Sequence, residues 1–214
     1  MKPRKLKKSP YQSARESIGT LSPDARLTGV TKGQFSLLDL IRAVADQTGP
    51  AALTVSTWST GIRDTANVKL LIDNGAFTNV RLCLDRSFSG RQPQYVEEVI
   101  QAWGESNIRM TRSHAKFFLL RNEGWNICCR SSMNLNRNPR LEQYDIDDSL
   151  ELCEFFEGVI NEIFEKMPAG LTKSVNKCDS VFPTLLGGGL SDQYLPKDMG
   201  LWDPSKFEKW NDAW

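Results

Sequence analysis

The chain has 214 residues, 40% of them hydrophobic and 25% charged, with a formal net charge of +1, which describes an ordinary globular protein with one main domain and an appendage. No apolar run approaches the roughly 20 residues that span a membrane, and the N-terminus MKPRKLKKSP has no apolar stretch behind its basic start. Neither a membrane helix nor a secretory signal is therefore indicated, and the protein is expected in the cytoplasm, or in the host cytoplasm if phage-encoded, with no membrane partner.

The near-neutral total hides an asymmetry. Lys2, Arg4, Lys5, Lys7, Lys8 and Arg15 stand within the first 15 residues with no acid among them. Such an arm suits nucleic-acid phosphates, or else is a solubilising tail. Residues 1–35 carry no sustained period and read as basic arm and linker. From Ser36, the residues Leu37, Leu38, Leu40, Ile41 and Val44 fall at helical spacing, and Gly49-Pro50 ends the segment, so a helix is expected over 36–47. Residues 52–58 read as a buried strand. Trp58 and the turn Ser59-Thr60-Gly61 follow it, at the strand end where open α/β sheets place ligands.

Residues 63–73 form a second predicted helix, closed by Asn74-Gly75. Residues 77–84 form a strand, and the loop DRSFSGRQPQ brings Arg86 and Arg91 to the rim that carries Trp58. Pro93, with Val96, Val99, Ile100 and Trp103, marks a third helix ending at Gly104. This alternation predicts a layered α/β fold with a mostly parallel or mixed sheet flanked by helices, and with non-regular N- and C-terminal extensions.

Residues 108–111 and 115–120 read as strands, Asn122-Glu123-Gly124 as a hairpin turn, and residues 125–129 as the returning strand. His114, the one histidine of the chain, and Lys116 share a strand face, because residues i and i+2 point the same way. An imidazole beside an ammonium suits an anion, phosphate above all; the plainer alternative is a chance surface pair. Ser131, Ser132, Asn134, Asn138 and Glu142 stand beyond the returning strand, near His114 only if the hairpin register permits. Asp148 with Glu151 reads as a capping box for an amphipathic helix closed by Pro168 and Gly170.

Cys83, Cys128, Cys129, Cys153 and Cys178 form no CxxC pair, so neither a disulfide framework nor a conventional zinc site is expected. Residues 168–214 read as an irregular aromatic and acidic extension. Its Trp202, Phe207, Trp210 and Trp214 either pack on their own domain or dock on a protein partner.

The polar cluster resembles the phospholipase D superfamily motif, His-x-Lys followed by an Asp and then Gly-Ser-x-Asn, over roughly residues 36–167. HAK supplies His114 and Lys116, SSMN supplies Ser132 and Asn134 with Ser131 at the glycine position, and NPRLE supplies Asn138 and Glu142. The chain departs from the pattern at Arg121, where the motif acid usually stands, and its motif halves are further apart. The resemblance implies catalytic roles for five residues. His114 would be the phosphorus nucleophile, Lys116, Ser132 and Asn134 would hold the non-bridging oxygens, and Glu142 would orient the imidazole. It implies no cofactor and no metal.

One imidazole cannot be nucleophile and general acid at once, and the resemblance to single-motif family members, which dimerise, implies a homodimer here. Single-motif relatives point to a nuclease-like phosphodiesterase acting on nucleic acid, DNA before RNA. Arg112, Arg130, Asn138, Trp58 and Arg86 are the substrate-binding candidates, although arginines are common surface residues and a tryptophan after a strand is often core. The alternative is a catalytically weak or inactive nucleic-acid-binding or assembly protein, such as phages and mobile elements use. Phospholipid hydrolysis is disfavoured, since no surface amphipathic helix stands out.

Overall fold

The computed structural model describes residues 2–7 and 13–171. In chain order the elements are β1 (Lys5–Lys7), α1 (Ala14–Ile18), β2 (Arg26–Thr31), α2 (Leu37–Thr48), β3 (Ala51–Thr57), α3 (Ile62–Asp73) and β4 (Phe77–Asp85). There follow α4 (Phe88–Arg91), α5 (Val96–Trp103), β5 (Ile108–Thr111), β6 (Lys116–Arg121), β7 (Asn126–Ser131), β8 (Glu142–Asp148) and α6 (Leu150–Lys166). The strands form one sheet in the order β1-β2-β8-β7-β6-β3-β4-β5.

The β3-α3-β4 and β4-α5-β5 units pair in parallel, as helical crossovers require. The β6–β7 hairpin and β8 add antiparallel neighbours, so the sheet is mixed. The local signals account for most of these elements. Ser36 and Asp39 make the reciprocal capping box that starts α2, and Gly104, in the left-handed region at φ 78°, ends α5.

The sheet has two unlike faces. Leu27, Leu53, Val55, Leu82, Leu84, Phe118, Leu120, Ile127, Tyr144 and Ile146 point to one of them, and pack with residues of α1, α2, α3 and α5 in one continuous core. The other face is covered by α6, where Phe156 lies 4.7 Å from Phe117 between ring centroids and Glu157 pairs with Arg121. Further along that face, beside β1, β2, β8 and β7, the lining is ionic. Asp147 is almost wholly buried and receives Arg4 at 2.6 Å, Arg130 at 2.7 Å and Arg26 at 3.4 Å.

Four expectations need correction. Residues 1–35 are not simply an irregular arm: β1 and β2 extend the sheet, and α1 adds Ala14 and Ile18 to its core. Arg4, expected to be available to phosphates, is held by Asp145 and Asp147. The stretch after Asn138 is not all loop, since Glu142–Asp148 forms a strand between β2 and β7. Its acids mask the pattern: Asp145 and Asp147 face the arginines while Tyr144 and Ile146 face the core. The cap of α6 is Ser149, whose side chain accepts from Leu152 N, in place of Asp148. Asp148 instead accepts from the backbone amides of Asn126 and Asp24.

The four described cysteines are buried and free, and burial pushes the Cys83, Cys128 and Cys153 thiols up to about 12. Cys178 and the aromatic residues of the expected C-terminal docking segment lie outside the described residues. Among the described residues no helix is long and apolar enough to cross a membrane.

Gly29 of β2 lies directly under the Tyr144 ring of β8, and a Cβ there would meet that ring at 2.3–2.5 Å. The Tyr144 hydroxyl in turn hydrogen-bonds Ser17 of α1 at 2.6 Å. Replacing Gly29 by Ala therefore forces the ring off its position. We expect Gly29→Ala to cost about 1–3 kcal/mol, the usual range for overpacking, read as a lowered midpoint of urea unfolding with an unchanged slope.

Candidate active site

One end of the sheet gathers the motif residues. The carboxyl ends of β3, β4, β5 and β7 and the amino ends of β6 and β8 all reach it, because β6 runs antiparallel to β3 and β7, and β8 antiparallel to β7. Within the β6–β7 pair Lys116 stands opposite Ser131, and Ser131 stands opposite Tyr144 of β8. That register brings the His-x-Lys element alongside Ser132 and Glu142.

His114 is exposed, in the short loop before β6, while Lys116 is only 8% exposed at the strand's first position. The Lys116 ammonium lies 2.8 Å from His114 Nδ1 and donates to His114 O, also at 2.8 Å. Burial holds the Lys116 amine below the ordinary lysine range, and Glu142 and Asp85 offset part of that effect. Both carboxylates therefore lie close enough to act on the ammonium.

Ser132 donates its hydroxyl proton to Glu142 and accepts from the amide of Gln143 at 2.9 Å. Ser131 donates to Gln143 O at 2.8 Å and accepts from Met133 N at 2.9 Å, which shapes the turn out of β7. Asn134 O accepts from Leu37 N at 3.2 Å, tying this turn to the start of α2. The Asn134 Oδ1 atom is buried without a hydrogen-bond partner among the described residues. An unpaired buried polar atom of this kind costs about 1–3 kcal/mol.

Glu142 does not occupy the role expected of it. Its hydrogen bond goes to Ser132, and the imidazole is contacted by Lys116. Arg121 at the motif-acid position has an assignment of its own: it points to the α6 side of the sheet, where it pairs with Glu157 and donates to Asn126 Oδ1 at 3.0 Å.

The substrate-binding candidates divide. Arg86 and Arg112 follow β4 and β5, which are adjacent and parallel, so both stand at the site end of the sheet. Trp58 follows β3 there, with its ring centroid 5.6 Å from that of His114. Arg130 does not belong with them. Its neighbour Ser131 shares the register of Lys116, so Arg130 points to the opposite face, where Asp147 holds it. Asn138 lies in the β7–β8 connection with its carbonyl against Gly33, which has φ 83°.

Two residues went unremarked in the motif reading. Asp85, the last residue of β4, accepts from Ser113 N at 3.1 Å and from Ser87 N at 2.9 Å, which anchors the loop carrying His114. A carboxylate at the carboxyl end of a parallel strand was the available signal. Asp64, in the first turn of α3, has its carboxyl raised to about 6 by burial, with Asp39 adding to the effect. A Cβ on Gly61 would come 2.9 Å from Asp64 Oδ2 and 3.5 Å from Asn136 Cβ, so this end of α3 is close-packed against the β7–β8 connection. Among the described residues no group of three His, Cys, Asp or Glu side chains could hold a metal ion.

No family model matches the chain, and no curated protein matches it in sequence. Solved structures do. A phospholipase D family member, Nuc from Salmonella typhimurium, aligns with 68% of this chain and 97% of its own, at 12% identity and a TM-score of 0.48. The chain is similar in architecture to that phospholipase D family member. NucT from Helicobacter pylori aligns at 13% identity and a TM-score of 0.48, over 68% of this chain and 99% of its own. Phosphatidylserine synthase from Haemophilus influenzae Rd KW20 aligns at 16% identity and a TM-score of 0.49, over 76% of this chain and 44% of that one.

The buried ammonium gives the His114–Lys116 cluster an expected pH response. Lys116 can hold an anion only while protonated, and its folded value lies below the model-peptide 10.5. Anion affinity is therefore expected to fall, as pH rises, before ordinary lysines titrate. Inorganic phosphate binding followed by calorimetry from pH 6 to 10.5 checks this. Lys116→Arg, which stays charged, should move the alkaline limb upward.

Proposed function

We propose that the chain is a metal-independent phosphodiesterase, a nuclease acting through a phosphohistidine in a homodimeric site. The observation that carries this reading is the Lys116–Ser131 register, which sets His114 and Lys116 beside the Ser132–Glu142 hydrogen bond at one sheet end. An exposed imidazole next to a largely buried ammonium is an arrangement that suits attack on a phosphodiester.

In the first step a His114 ring nitrogen forms a bond to phosphorus while the bond from phosphorus to the leaving oxygen breaks. An arriving phosphate draws the Lys116 ammonium onto its non-bridging oxygens and away from the ring, which frees that nitrogen's lone pair. Lys116, the Asn134 amide and Ser132 stabilise the charge that grows on those oxygens. The leaving oxygen takes its proton from an imidazolium. In the second step water attacks phosphorus, the phosphorus–nitrogen bond breaks, and the second imidazole accepts the water's proton.

The chain has one histidine, so the acid is His114 of a second copy, brought across a two-fold axis. Arg86 and Arg112 at the rim favour a nucleic-acid substrate, DNA before RNA. Arg121 supports a second reading. With the motif acid replaced and its substitute committed to Glu157, the fold would serve as a DNA-binding or assembly protein without turnover.

Cleavage of single- and double-stranded DNA in EDTA separates the two readings. Wild type is expected to cleave, to form an acid-labile phosphoenzyme and to sediment as a dimer. His114→Ala should lower the rate by about 10³-fold or more, with its fold intact by circular dichroism. DNA binding with no cleavage by the wild type leaves the binding reading standing alone.

A further inference from the structure

Trp58 occupies the position immediately after β3, with the His114 ring tilted against it at 5.6 Å and 53°. Its indole is also covered by Arg91, whose guanidinium carbon lies 3.7 Å from the ring centroid. Arg91 ends α4, and two hydrogen bonds hold it in place. Its Nη2 donates to Trp58 O at 3.0 Å, and its Nε donates to Ser87 Oγ at 2.9 Å. Ser87 is itself fixed, since its amide and its hydroxyl both donate to Asp85 Oδ1.

This arrangement leaves a cation in an unusual state. The Arg91 side chain is exposed and makes no ion pair among the described residues, and Nη1 has no partner there. Most arginines near the sheet are committed: Arg4, Arg26, Arg81, Arg121 and Arg130 all pair with carboxylates. Arg91 is therefore ordered without being neutralised, and a planar guanidinium held in one orientation loses little freedom when it binds a phosphate by its open edge. Its distance from the catalytic imidazole is bounded by the 3.7 and 5.6 Å contacts made through the one indole between them. The limit so set leaves both groups within reach of one nucleic-acid strand.

We propose that Arg91, laid over Trp58, binds the phosphate next to the one His114 engages, and so directs the site to a polynucleotide over an isolated phosphodiester. The proposal rests on the phosphodiesterase reading and adds to it a residue that holds a second phosphate of the strand. It also changes the part given to Trp58. One face of the indole is taken by Arg91, so Trp58 is the seat of a phosphate-binding arginine and a neighbour of the imidazole, in place of a base-stacking platform.

The test compares a single-stranded oligodeoxynucleotide with bis(4-nitrophenyl) phosphate as substrates of the full chain. Arg91→Ala is expected to lower the ratio of kcat/KM for the oligonucleotide to that for the small diester by roughly tenfold, mostly through KM. Arg91→Lys, which keeps the charge but not the planar fork, should recover part of the loss. In a His114→Ala background, oligonucleotide binding measured by fluorescence anisotropy should lose about one unit of salt slope when Arg91 is removed. Equal losses on both substrates, or an unchanged ratio and an unchanged salt slope, would overturn the proposal; either marks Arg91 as packing for Trp58. If wild type cleaves neither substrate, the phosphodiesterase reading fails, and the anisotropy arm alone decides whether Arg91 holds a phosphate.

Discussion

The candidate site depends on one strand pairing, that of Lys116 with Ser131 across β6 and β7. A strand's side chains alternate between faces, so a slip of one residue would carry Lys116 to the α6 side and put Phe117 in its place. The register is held by what each face must bury. Phe118, Leu120, Ile127 and Cys129 enter the main core, while Phe117 meets Phe156 of α6. The apolar residues thus position the polar ones. The His-x-Lys element and the Ser-x-Asn element lie next to each other in this register, and a one-residue slip would exchange the buried and opposite faces of the hairpin.

The same sheet solves a second problem on its far face. Among the described residues, β1, β2 and β8 carry an ionic layer there. The Asp147 carboxylate accepts from guanidinium groups of β7, β2 and the residue before β1, so it joins three parts of the chain that are remote in sequence. Breaking such a buried network by removing one partner is costly, whereas forming it adds little net stability. Its consequence is specificity of pairing. It commits Arg4 and Arg130 to structure.

Much of the central fold was legible because its signals are local. The helices over Leu37–Thr48, Ile62–Asp73 and Val96–Trp103 show apolar spacing, caps or stops within the sequence, and they lie within a few residues of where periodicity places them. Residues 1–35 were not legible. Strand β2, with Arg26, Thr28 and Gly29 among its six residues, has little apolar character of its own. It becomes a strand because β8 offers it partners: Asp147 for Arg26, Asp145 for Thr28, and the Tyr144 ring above Gly29. Strand β8 was hidden for the matching reason, since four of its seven residues are acids.

For the site itself, the sequence determined the chemical inventory. A lone histidine two residues before a lysine, with serine, asparagine and glutamate downstream, is the set on which the proposed phosphate chemistry and its second copy rest. Which of those groups meet was decided only by the tertiary structure. Side-chain alternation in β7 removed Arg130 from the set, the turn after β7 gave Glu142 to Ser132, and the packing of α4 against β3 laid Arg91 on Trp58. Motif spacing records residue types along one strand of chain, whereas these contacts join segments from 10 to 33 residues apart. Their geometry follows from register and packing, and neither can be read from the order of residues alone.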